Sequence, residues 1–161
     1  LALTLAACSS AGPETAGTSV DDRCAGGDTV TAGSASGSGI AALTDPNNIL
    51  SKRSVFFDFD SYVIKQEARA LVEAHARFLV QNPQMRMLIQ GNTDERGSRE
   101  YNLALGQKRA DVVKQALMLL GAKEAQIESV SLGEEKPRCE DRTEACYGEN
   151  RRGDMLYSGE F

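Results

Sequence analysis

The chain has 161 residues, a formal net charge of −5, one histidine and four cysteines, which allows one domain of ordinary size plus a tail. Residues 9–48 hold one base (Arg23) and five acids (Glu14, Asp21, Asp22, Asp28 and Asp45), so nearly all of the excess negative charge sits there. No basic stripe follows elsewhere, which argues against a nucleic-acid binder.

Leu1 to Ala7 is apolar with small residues and runs into Cys8, the pattern of a signal-peptide h-region meeting its cleavage site. Leu5-Ala6-Ala7-Cys8 resembles the lipobox of bacterial lipoproteins, in which the cysteine becomes the lipidated first residue of the mature chain. Several acyl chains anchor a protein stably where one gives marginal binding. Ser9 after the cysteine resembles the sorting signal for the outer membrane. No later run is long enough to span a bilayer.

From Ser9 to about Asn48 the chain is rich in Gly, Ser, Ala and Thr. Such a segment buries no core and is expected to be a flexible tether, with an r.m.s. span of about 35 Å. The domain expected to follow covers residues 49–161. Cys24 is left in the tether, as a free thiol or a cross-link.

Val55 to Asp60 alternates as a strand, with Val55, Phe57 and Phe59 on one face. Lys65 to Gln81 reads as a helix whose apolar stripe is Ala68, Leu71, Val72, His75, Phe78 and Leu79; Asn82-Pro83 ends it. His75 on that stripe reads as a packed histidine at the core edge. A second strand covers Met85 to Gln90. Ser98 is a good N-cap for a long helix reaching Leu120, with Gly121 at C′. Its inward positions are read as Asn102, Leu105, Arg109, Val112, Val113, Ala116 and Leu120. A third strand spans Ile127 to Leu132 and a fourth Arg151 to Tyr157. Gly133 to Glu149 reads as a charged, solvated loop in which Cys139 and Cys146 suit a small-loop disulfide in an oxidising compartment. The order is β-α-β-α-β-loop-β: an α+β, two-layer sandwich with helices on one face of a mixed sheet.

With right-handed crossovers, Asp60, the loop carrying Asp94 and the second helix converge at one edge. Arg109 lies on or beside the buried stripe, and a buried guanidinium is expected to need a carboxylate partner. Asp94 and Arg109 at one groove would hold a zwitterion, ammonium on the first and carboxylate on the second.

Phe57-x-Phe59-Asp60, Gly91-Asn92-Thr93-Asp94-x-x-Gly97-Ser98-x-x-Tyr101-Asn102-x-x-Leu105-Gly106-x-x-Arg109-Ala110, Ser131-x-Gly133-x-x-x-Pro137 and Asn150-Arg151-Arg152 resemble the OmpA-like C-terminal domain family over about residues 50–158. With the lipobox and acidic tether, the chain is similar to its lipid-anchored members. The resemblance implies an outer-membrane lipoprotein facing the periplasm, which binds the peptidoglycan stem peptide without cleaving it. The diaminopimelate end would be gripped by Asp94 and Arg109, with Asp60, Phe59, Thr93 and Leu105 lining the pocket. It also implies partners in the Tol system, TolB and perhaps TolA, and a role in envelope constriction; no cofactor is implied. Gly153 departs from the strand-forming residue usual in the family, so the last strand is expected to be frayed or irregular.

Blander readings stand beside these. Asp94 also fits an Asx-turn or a partner of Arg96, Asp60 a turn, Asp58 a solvated acid, and Asn150-Arg151-Arg152 a structural run paired with acids such as Asp154. An enzyme reading is weak. One histidine supplies no zinc amidase ligand set, no base is indicated beside a nucleophile, and Arg109 would keep Asp94 ionised, the wrong state for a general acid. The alternative function is a Tol-system scaffold without direct wall binding.

Overall fold

The computed structural model describes residues 38–161. Cys8, Cys24 and the expected tether up to residue 37 lie outside them. Helix α1 (Ser38–Thr44) and a 3-10 turn (Ile49–Ser51) precede the first strand. Packing thus begins ahead of the boundary that composition suggests, because Leu43 is buried in the core.

Strands β1 (Ser54–Phe56), β2 (Met87–Asn92), β3 (Ile127–Gly133) and β4 (Arg152–Tyr157) form one mixed sheet in the order β1-β4-β2-β3. β4 is antiparallel to both β1 and β2, and β2 is parallel to β3. Helices α2 (Arg69–Gln81) and α3 (Arg99–Leu119) pack together, α3 against β2 and β3. Val55, Phe57, Leu79, Met87, Ile89, Val113, Leu117, Met155 and Tyr157 are central to the core.

Capping chemistry sets the helix ends. Ser98 Oγ accepts from the Tyr101 N–H, and Gly121, at φ +104°, leaves α3 in the left-handed region. The buried side of α3 runs through Asn102, Leu105, Arg109, Val113 and Leu117, whereas Leu120 at the C-cap is exposed. Leu120 is exposed because α3 ends at Leu119, one residue before it, while Val112 and Ala116 of the expected stripe pack half-buried against the core.

Three sequence expectations need correction. The first strand stops at Phe56, and Phe59, expected on its core face, is 58% exposed. The chain turns there, with Asp60 at φ +53°. The Gly133–Glu149 loop contains a further helix, α4 (Glu144–Asn150), started by Thr143 Oγ1 accepting from the Cys146 N–H and tied through Cys146 to Cys139 ahead of it by a disulfide. Finally, β4 is neither frayed nor irregular: it is a central strand, and Gly153 sits between Val55 and Gly91. Strand pairing on both edges outweighs the entropic cost of a single glycine.

His75 is fully buried within the core. Its Nε2 lies 2.8 Å from the Lys52 carbonyl, which can only accept, so Nε2 carries the proton; Nδ1, 2.8 Å away, accepts from the Tyr157 hydroxyl. Burial lowers the His75 pKa to about 4 against the hydrogen bond to Lys52.

Two predictions follow from this packing. A Cβ at Gly153 would lie 3.6 Å from Phe57 and 3.7 Å from Val113, ordinary contact, so Gly153→Ala should raise stability in urea by about 0.4–1 kcal/mol. A Cβ at Gly91 would lie 1.8 Å from the Gly106 carbonyl oxygen, so Gly91→Ala should lower it by about 1–3 kcal/mol or more. For His75, an unfolded histidine titrates near 6.5 and the folded one at about 4. Its contribution is therefore complete above pH 6.5 and is lost as pH falls toward 4, by roughly 3 kcal/mol. Urea titrations across that window should show a steep loss in wild type and a flatter one in His75→Gln.

Candidate functional site

One cleft of about 210 Å³ is lined by all six residues singled out from the sequence, Phe59, Asp60, Thr93, Asp94, Leu105 and Arg109. The turn after β1 supplies the first two, the loop after β2 the next two, and α3 the last two. The two glycines that let α3 approach the sheet, Gly91 and Gly106, fix how near Leu105 and Arg109 come to that loop. Gly133, at φ +52°, packs against the backbone of Asn102 and Leu103, and its carbonyl accepts from the Thr93 N–H at 2.8 Å.

Arg109 is fully buried, and its guanidinium is held otherwise than charge pairing alone suggests. Nε donates to the Ser61 carbonyl (2.8 Å), Nη1 to Asn92 (2.9 Å) and Nη2 to Asp58 (3.1 Å). Among the described residues no carboxylate forms an ion pair with it. The expected carboxylate partner is replaced by three backbone carbonyls, presented where the turn after β1 meets the end of β2. Its five N–H groups leave two uncommitted. Burial lowers its pKa to about 10, opposed through space by Asp94 and assisted by Arg151, so it stays cationic at neutral pH.

Asp94 is buried and bound by two other arginines. Oδ1 accepts from the Arg96 backbone N–H (3.1 Å), and Oδ2 from Arg96 Nη2 (2.7 Å) and Arg151 Nη1 (3.1 Å). The local turn and the Arg96 pairing offered by the blander reading are therefore both present. Burial pushes the Asp94 carboxyl up, but the Arg96 and Arg151 hydrogen bonds outweigh it and hold the pKa below its ordinary value.

Asp60 is exposed, accepts from the Tyr101 hydroxyl and occupies the left-handed region that Asp and Asn tolerate best. Thr93 is 3% exposed, yet its Oγ1 has no protein partner. A buried hydroxyl without a partner calls for an explanation, and at a cleft wall a ligand is one.

Arg96, Gly97, Tyr101, Asn102 and Arg151 complete the lining. Sequence reasoning weighed Arg96 only as a neighbour of Asp94, and Arg151 as a structural residue. The signal for both was the single buried acid in the loop, which three hydrogen bonds from arginines now account for. Arg152, by contrast, points to Asp154 Oδ2 (2.8 Å) and does not line the cleft. Asp58 is exposed and paired with Lys65. The lining carries three guanidiniums (Arg96, Arg109 and Arg151) against two carboxylates (Asp60 and Asp94), an excess of positive charge. Such a charge pattern suits an anion with a cationic group beside it.

The bonding of Arg109 gives a stability prediction. Arg109→Lys cannot reach all three carbonyls and, with Asp58 still accepting from the Ser61 N–H, leaves at least one of Ser61 and Asn92 without this donor, so urea denaturation should show a loss of about 1–3 kcal/mol. Asp60→Asn keeps an acceptor for Tyr101 and a residue tolerant of positive φ, and should change stability by less than about 0.5 kcal/mol.

Comparison with known proteins agrees with this architecture. The OmpA family matches residues 56–151. A peptidoglycan-associated lipoprotein of Pasteurella multocida is 47% identical over 104 residues, covering 65% of this chain and 69% of that one. That of Haemophilus influenzae is 46% identical over 104 residues, 65% and 68% of the two chains. The crystal structure of the peptidoglycan-associated lipoprotein from Burkholderia pseudomallei superposes with a TM-score of 0.71 at 56% identity, covering 73% of this chain and 99% of that one. The C-terminal domain of Helicobacter pylori MotB has the same fold at 21% identity, with a TM-score of 0.61 over 66% of this chain and 84% of that one. The chain belongs to the OmpA family, among its peptidoglycan-associated lipoproteins.

Proposed function

We propose that this protein is a non-catalytic peptidoglycan-binding lipoprotein that grips the diaminopimelate end of the stem peptide in the Asp60–Asp94–Arg109 cleft. The observation that carries the reading is the state of Arg109: a buried cation bonded, among the described residues, to three neutral carbonyls, with two N–H groups beyond those bonds. A ligand carboxylate would supply the missing counter-charge with two charge-assisted hydrogen bonds. The ligand ammonium would sit on the acidic side, on exposed Asp60 and on the acceptor position that Asp94 Oδ1 retains. Thr93 Oγ1 would bond the same ligand, and Phe59 and Leu105 would pack on its methylenes.

Binding rather than bond cleavage suits these groups. Asp94 is held ionised by two arginines, so it cannot donate a proton as a general acid. Thr93 Oγ1 has no base beside it.

The same proposal places the chain at the outer membrane, lipidated at Cys8 and facing the periplasm. It also includes TolB, and TolA, as partners during envelope constriction. The lipobox resemblance supports the first part and the family resemblance the second.

The test uses sacculi whose stem peptides carry diaminopimelate, beside sacculi carrying lysine at the same position. Lysine keeps the ammonium but lacks the side-chain carboxylate. Wild type should pellet with the first and not the second. Asp60→Asn, still folded by circular dichroism, should bind the first about tenfold more weakly or worse, as expected for one lost charge-assisted contact. Equal binding to both walls would overturn the carboxylate-on-Arg109 assignment. Absence of binding to either would leave the Tol-system scaffold as the better reading.

A further inference from the structure

Apart from Arg151, the charged segment between β3 and β4 has no part in the binding reading above, yet it is a braced unit. Cys139 and Cys146 close it covalently. Asn150 Oδ1 accepts from the N–H groups of Arg138 (2.7 Å) and Cys139 (3.1 Å), and its Nδ2 donates to the Cys139 carbonyl (2.6 Å). The first turn of α4 is capped by Thr143. Both ends of residues 139–150 are thereby fixed to each other.

This unit presents two side chains to Arg96. The Tyr147 ring centroid lies 4.4 Å from Arg96 Cζ, and the Phe59 ring centroid 4.2 Å from the same atom. Arg96 therefore contacts two aromatic rings, one from α4 and one from the cleft wall. Glu144 Oε2 is 3.3 Å from Arg96 Nη1, and Oε1 is 2.7 Å from Arg151 Nη2. Arg96 and Arg151 are the two residues that bond Asp94. A continuous series of contacts runs from the disulfide through α4 to Asp94 on one side and Phe59 on the other. Without it, Arg96 would keep Asp94 and Phe59 on one side and lose the ring and carboxylate that close the other.

We infer that Tyr147 and Glu144 are positioning residues for the cleft: from the disulfide-braced helix α4 they hold Arg96 and Arg151, and through them set Asp94 and Phe59 for the ligand. The inference rests on the wall-binding reading of the cleft and keeps the same ligand class, an amino-acid zwitterion. It adds that affinity is set from outside the cleft. Reducing the Cys139–Cys146 bond should weaken binding while the four-stranded sheet, which contains neither cysteine, stays folded.

The experiment compares wild type, Tyr147→Phe, Tyr147→Leu and the double variant Cys139→Ser/Cys146→Ser, with two readouts. One is binding to diaminopimelate-containing sacculi, with and without a phosphine reductant. The other is the NMR signal of the Arg96 Nε–H in the free protein, which ring currents from Phe59 and Tyr147 should displace. Tyr147→Leu should bind about tenfold more weakly, the scale of one partly buried cation–π contact. Tyr147→Phe should restore binding because it keeps the ring. Reductant should weaken wild type several-fold and leave the double variant, already weakened, unchanged. The Arg96 signal should stay displaced in Tyr147→Phe and move toward its free value in Tyr147→Leu and on reduction. Wild-type binding by Tyr147→Leu, or an Arg96 signal that does not respond, would overturn the inference. If wild type fails to bind sacculi while the Arg96 signal moves as described, the positioning role stands and the wall-binding reading is what fails.

Discussion

The arrangement of the cleft depends on burying one charged guanidinium among backbone carbonyls. Arg109 reaches from α3 to the carbonyls of Asp58, Ser61 and Asn92. It thereby ties the turn after β1 to the end of β2. Burying a cation is costly, and three good acceptors lower that cost without neutralising the charge. Among the described residues the guanidinium therefore keeps its positive charge without an ion-paired carboxylate. If Arg109 also binds the proposed ligand, its replacement cannot report on fold and affinity separately.

Backbone approach makes this geometry reachable. Gly91 on β2 and Gly106 on α3 face each other where no Cβ fits, and Gly133 meets the same helix one strand over. With any larger residue α3 would stand away from the sheet and Arg109 would fall short of Asn92. The glycines that look like loop punctuation in the sequence are helix–sheet spacers. Gly153, by contrast, lies where a methyl group would fit, and it has no such role.

Electrostatics around Asp94 differ from a simple opposed pair. Two guanidiniums already bond its carboxylate, and a third is near without bonding it. Positive charge exceeds negative at the cleft wall, so on the proposed reading a ligand carboxylate would be the leading interaction and an ammonium the secondary one. The exposed acid Asp60, strained in backbone and bonded by Tyr101, has more freedom to meet a cation than Asp94 has.

Much of this was legible in the chain. Alternation and 3.6-residue periodicity marked four strands and the two large helices, since each element buries one face of its own sequence. Ser98 and Gly121 marked the ends of α3 because caps are local chemistry. Topology and charge brought Asp60, Asp94 and Arg109 to one edge, while Phe59, Thr93 and Leu105 were implied only by the family resemblance; all six line the cleft. What the sequence could not decide was partnership across long separations. Arg109 was expected to meet a carboxylate and met three carbonyls, because the acceptors exposed by a chain turn appear only once the turn is folded. The first strand ended early for the same reason. Helix α4 escaped notice because its seven residues show no apolar period and owe their place to the disulfide and to Arg96 and Arg151. Residue type and spacing thus determined which groups gather at this site; only the tertiary structure decided which of them are already bonded to each other, because hydrogen bonds between distant segments depend on backbone positions that no local pattern encodes.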